Sequence, residues 1–155
     1  MEIKLKCSEV LRINTVLKAI IEDSQVKTDA LLKFRLLGIM RSIESHINNF
    51  EIIKDEKIIA YGEETEDGVF QIKPDNPKAL EQFERDINNV LDSEVLIQTQ
   101  MLKPDEVFNK GLTTEYLMGL YPIIEKAGTS FRAIYIFCIN ASTSFWLSRR
   151  AATAP

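Results

Sequence analysis

Asp29 to Lys54 reads DALLKFRLLGIMRSIESHINNFEIIK, and the fold turns on how this stretch is read. Leu32, Leu36, Ile39, Ile43, His46, Phe50 and Ile53 recur at steps of four, three, four, three, four and three, the rhythm of a coiled-coil seam. Leu31, Met40 and Ile47 widen the stripe, and Thr28 or Asp29 can cap its start. The spacing predicts a helix over 29–54, about 40 Å long at 1.5 Å per residue. That is longer than a compact chain of 155 residues needs, so the helix either projects or spans the whole body.

Upstream, residues 2–6 alternate Glu, Ile, Lys, Leu, Lys, which gives a half-buried strand with Ile3 and Leu5 on one face. Ser8 stands as an N-cap before Val10, Ile13, Leu17, Ile20 and Ile21, so a first helix is expected over about 9–23. The polar run Glu22-Asp23-Ser24-Gln25 ends it.

Downstream the period changes. Ile58, Ile59 and Tyr61, then Val69, Phe70 and Ile72, flank Gly62 to Gly68, whose Asp67-Gly68 is a turn signal. A β-hairpin with an acidic tip is expected there. Asn76 suits an N-cap and Pro77 a first helical position, opening a helix over about 77–92 with Leu80, Phe83, Ile87, Val90 and Leu91 on its apolar side. This helix can return along the long one, with Leu80, Phe83, Ile87 and Leu91 against Ile43 to Ile53. Glu94 to Gln100 is a further strand, whose natural partner is residues 2–6. Pro104 and Gly111 bracket a loop or short turn, and Thr113 caps a last helix carrying Leu117 and Leu120, with Ile123 and Ile124 beyond Tyr121-Pro122. The fold class is therefore α+β, mostly helical: a long antiparallel helix pair joined by a β-hairpin, with a small sheet pairing the N-terminal strand and a strand near 95–100.

Charge divides the chain unevenly. The net charge is -4, yet residues 1–126 hold 16 basic and 23 acidic side chains, while 127–155 hold three arginines and no acid. A single domain is expected over 1–126, with 127–155 as an acid-free appendage. The apolar run Ala133 to Leu147 is short of the roughly 20 residues that span a bilayer. It reads as a segment joined by frameshift or fusion, as an extra strand pair, or as a weak membrane anchor. An acidic body argues against binding nucleic acid through phosphate contacts. Two cysteines, Cys7 and Cys138, are too few for a disulfide framework, and the N-terminus has no apolar signal segment, so a cytoplasmic setting is expected.

Chemistry has few carriers. His46 is the only histidine and lies on the seam; a polar residue there sets register or partner choice, and Ser45, one position away, does not face it. The six glycines form no phosphate-binding loop, and neither paired nucleophile and base nor a metal-ligand spacing stands out, so the chain is read as a non-enzyme with no cofactor or metal. Two surfaces remain as interaction candidates. The first is the acidic hairpin, Glu63, Glu64, Glu66 and Asp67, suited to a basic groove. The second is Leu32, Leu36 and Ile39, a part of the seam that the shorter return helix leaves uncovered, where homo-oligomers would form.

Several phrases together resemble a family of small proteins from tailed phages and prophages of Gram-positive bacteria, encoded near tail and lysis genes. They are Met1 to Lys6, Phe34-Arg35-Leu36-Leu37, Val69 to Lys73 before Asn76-Pro77, Leu80 to Glu84, and Glu94 to Ile97 leading to Leu112-Thr113. The likeness covers residues 1–126 and implies no catalytic residue. Small size, acidity and the lack of any chemical motif permit a phage protein that binds and modulates a bacterial host protein, such as a defence factor; the alternative is a structural or assembly accessory of the phage tail, found in the virion.

Overall fold

The computed structural model describes residues 1–23, 26, 28–108, 110 and 112–125. The expected roles of 127–155 lie outside the described residues. In chain order the elements are strand β1 (Glu2–Lys6), helices α1 (Cys7–Glu22) and α2 (Ala30–Tyr61), strands β2 (Glu63–Glu64) and β3 (Phe70–Gln71), helix α3 (Pro77–Asp92), strand β4 (Glu94–Gln98), and helices α4 (Pro104–Val107) and α5 (Thr114–Leu120). A 3-10 turn, Tyr121–Ile123, follows. The chain is thus mostly helical, with one small antiparallel sheet of β1 and β4 and a minimal second pair, β2 and β3.

The β1–β4 register pairs Ile3 with Ile97 and Leu5 with Val95 on the inward face. Lys4 and Leu96 pair on the outer face, where Lys4 also bridges Glu94 at 2.5 Å. The chain passes from β1 into α1 without a loop, which corrects the expected Ser8 cap. The helix starts at Cys7, Lys6 takes the N-cap position, and the Glu9 carboxylate accepts the Lys6 N–H at 2.8 Å. The Cys7 N–H is given to the Ser93 carbonyl, so the same corner ties α1 to the end of α3.

Asp29 starts α2 by accepting the Leu32 N–H at 2.8 Å, which satisfies one of the first-turn donors. The helix then runs 32 residues, past Lys54, and Ile58, Ile59 and Tyr61 are helical where a strand was expected. Ile58 and Tyr61 fall at i+4 and i+7 from Lys54, so the helical face continues through a segment whose β-branched residues also suit a strand. Tyr61 donates to Asp86 on α3 at 2.8 Å, and Lys57 bridges the same carboxylate at 2.6 Å. These side-chain links hold the last two turns against α3. The hairpin is reduced to two residues on each strand.

The core gathers Val10, Ile13, Leu17 and Ile20 of α1, Leu32, Leu36, Ile39 and Ile43 of α2, Ile97 of β4, and Leu102, Val107, Leu120, Ile123 and Ile124. This overturns the expectation that Leu32, Leu36 and Ile39 form an open interface. All three are at most 2% exposed, because α1 and the segment 102–124 close over the N-terminal half of α2. The closure is fastened in several places. Leu102 and Ile124 form a parallel bridge, Arg35 meets Glu106 at 2.5 Å, and Lys110 meets Asp29 at 2.5 Å. Gly119 on α5 lies so close to α1 that a Cβ there would collide with Val16. The expected loop after Pro104 contains the short α4, while Thr113 caps α5 as expected, accepting the Tyr116 N–H.

Helix α3 begins as read, with Asn76 accepting the Ala79 N–H and Pro77 at the first position. It packs on α2 and on α1, but Phe83, Ile87, Val90 and Leu91 are only half-buried and Leu80 is exposed. It forms a lighter cover than the core around α1.

Candidate interaction surfaces

The acidic hairpin follows directly from the end of α2. Gly62 closes the helix by giving its N–H to Ile58, and a side chain there would strike the Ile58 and Gln71 carbonyls. The turn is built by the Thr65 hydroxyl and N–H, which donate to the Val69 carbonyl at 2.9 Å each, and by Gly68 in the left-handed region at φ 76°. Glu63, Glu64, Glu66 and Asp67 are all exposed. Glu63 is held by Lys73 at 2.6 Å, and its hydrogen bond holds the Lys73 ammonium above the usual lysine range. Glu64, Glu66 and Asp67 form no ion pair with a described residue. Glu63 and Glu64 thus lie on β2, and Glu66 and Asp67 lie on the turn that follows it.

Where hairpin, α2 and α3 meet, Asp86 accepts from both Lys57 and Tyr61, and these bonds hold its carboxyl below the usual range, with Lys57 the larger cause. The same contact raises the Lys57 ammonium and the Tyr61 phenol. The lysine also lies 5.7 Å from the centre of the Tyr61 ring. At the other end of α2, the hydrogen bond from Lys110, then that from the Leu32 N–H, lowers the Asp29 carboxyl. Both groups fix helix positions, and Asp29 and Lys110 also line a groove of about 260 Å³ with Leu31, Leu32, Asp105 and Glu106.

His46 is half-buried on α2, and Ser45 is exposed on another face, so the two do not form a pair. Among the described residues no group of three His, Cys, Asp or Glu is arranged to hold a metal ion. The Cys7 thiol is buried, and burial pushes it above the ordinary cysteine range. A groove of about 380 Å³ between α1 and α2 is lined by Lys18, Arg41, Glu44 and two asparagines over Met40 and Ile47. No described helix is long and apolar enough to cross a membrane.

Sequence reasoning missed the side of α2 that faces away from the core. Leu31, Phe34, Ile52 and Ile59 are exposed there, Phe34 by 74%. The signal was available: Leu31, Gly38, Ser45, Ile52 and Ile59 recur every seven residues, but the stronger inner seam masked them. Comparison of the chain with family models, with curated proteins and with solved structures gives no match.

Proposed function

We propose that the protein acts by binding another protein, without catalysis, and that the acidic hairpin makes the contact. The observation supporting this is the tip itself, where Glu64, Glu66 and Asp67 stand exposed and unpaired among the described residues on a turn fixed by Thr65 and Gly68. Carboxylates held on a short turn complement a basic groove of the kind that ordinarily takes nucleic acid, and they steer association through long-range attraction. The resemblance to phage and prophage proteins supports a bacterial host protein, a defence factor included, as the partner. Inhibition or modulation in the host cytoplasm is the corresponding effect. The length of α2, about 48 Å at 1.5 Å per residue, favours a second reading as an assembly accessory of the phage tail, residing in the virion.

The test is capture from a Gram-positive host lysate on the immobilised full chain, beside a variant carrying Glu63→Lys, Glu64→Lys, Glu66→Lys and Asp67→Lys. One stoichiometric host partner, released by salt and lost in the variant, is the expected result. A partner retained equally by both proteins shows that the hairpin is not the contact. Recovery of tail components alone supports the assembly reading.

A further inference from the structure

We infer that the outward face of α2 is the contact between two copies of this chain, packed antiparallel about Ser45. Leu31, Gly38, Ser45, Ile52 and Ile59 are spaced by seven, so they drift only about 20° around the helix per step and form one line. Phe34 lies beside that line. All six residues are exposed, and the line runs from the first turn of the helix to the last. Ser45, Ile52 and Ile59 lie on the side away from the buried Leu36, Ile39 and Ile43, while Leu31 borders a groove with Asp105, Glu106 and Lys110, and Phe34 and Gly38 border one with Gln98, Thr99 and Gln100, so occupying the line requires no opening of the core. Large apolar side chains left exposed along one line of a helix mark a contact.

The distribution along the line selects both the partner and its direction. Large apolar residues sit at the two ends, Leu31 and Phe34 at one and Ile52 and Ile59 at the other, with Gly38 and Ser45 between. A second copy laid antiparallel puts the Leu31 end against the Ile59 end. Ile52 of one copy then enters the space over Gly38 of the other, where an added Cβ finds no neighbouring atom within 4 Å. Charge agrees in sum: Lys33, Arg35, Arg41 and Glu44 give the first half of α2 a net +2, and Glu51, Lys54, Asp55, Glu56 and Lys57 give the second half a net -1, so an antiparallel pair sets unlike halves side by side. A parallel pair would bring Gly38 onto Gly38, leaving a gap, and would put both acidic hairpins at the same end. A strip about 48 Å long and about 12 Å wide amounts to on the order of 550 Å² per copy, about 1,100 Å² in all, which clears the roughly 1,000 Å² of a specific interface.

The test uses the full chain. Sedimentation across low to high micromolar concentration should give a dimer, and Phe34→Asp with Ile52→Asp should give a monomer with an unchanged far-ultraviolet spectrum, since both side chains are exposed. A monomer at every concentration for the unaltered protein overturns the inference, as does a dimer that survives both substitutions. Direction is read separately in a Cys138→Ser background by mixing a Leu31→Cys chain with an Ile59→Cys chain and oxidising. A mixed disulfide dimer is expected. Cross-links only between like chains overturn the antiparallel arrangement.

Discussion

Gly119 shows how tightly single residues are held. The missing side chain lets α5 press against Val16, a stiff β-branched residue. Gly119→Ala is expected to destabilise the chain by about 1–3 kcal/mol through overpacking, although alanine is the better helix former. Chemical denaturation checks this; a variant as stable as the parent would mean α5 can back away at no cost. Cys7 makes a second case. Its thiol is buried and its ionisation suppressed, so it should resist a thiol reagent in the folded protein and react only on unfolding. The comparison is run on the Cys138→Ser chain. At this scale the sequence was legible where a side chain bonds its own backbone neighbours: Asp29, Asn76 and Thr113 all cap the helices assigned to them. It was illegible at Ser8, because the cap that forms there depends on β1 running straight into α1, which Glu9 and Ser93 arrange.

Among elements, α2 carries the instructive differences. Its C-terminal turns contain Ile58, Ile59 and Tyr61, and a short apolar run of this kind satisfies both a helical and a strand period. Its N-terminal half looked open because the cover over Leu32, Leu36 and Ile39 comes from α1 and from 102–124, the latter some 70 positions later, and no local pattern announces that return. The pairing of Arg35 with Glu106 fastens it, with side chains 27% and 18% exposed. Arg35→Ala should therefore cost about 1.5–3 kcal/mol, the range for a charged hydrogen bond. Denaturant titration reads the loss, and a change below a few tenths would show the closure to rest on apolar packing alone. The ion pairs at the ends of α2 also set a pH profile. Asp29 and Asp86 have lowered folded values, so their contribution is present above the unfolded aspartate value near ~3.9 and is lost as pH falls through the folded values. Lys57 and Tyr61 are raised, so theirs is present below the unfolded values near ~10 and is lost as pH climbs through the folded ones. Stability should form a plateau that drops at both edges, and Asp86→Asn should flatten both drops. Denaturation midpoints across pH would show no such change if these contacts are fully screened.

For the molecule as a whole, the return of the chain along the helix pair was enough to match residues 2–6 with a strand some 90 residues later; that pairing is present, and the structure shows its sense to be antiparallel. The acidic turn was legible as charge density, and its exposure agrees with that reading. The apolar outer line of α2 was not noticed, since one helix carries two heptad lines and only the inner one is needed to build a core. If the antiparallel pairing holds, the two hairpins lie at opposite ends of the assembly, on the order of 50 Å apart by helix rise. Such a pair could engage two partner molecules, or two sites on one partner, and gain avidity from the spacing.

The pairing of β1 with β4 also orders events during synthesis. Residues 2–6 leave the ribosome before their hydrogen-bonding partner, which ends at Gln98, and the bridge from Leu102 waits for Ile124. At roughly 5–20 residues per second, the first strand spends on the order of 5–20 s with no partner edge. Nascent chains halted after Asp92 should expose residues 1–7 to protease, and chains released at full length should protect them. A strand made early is thus secured late.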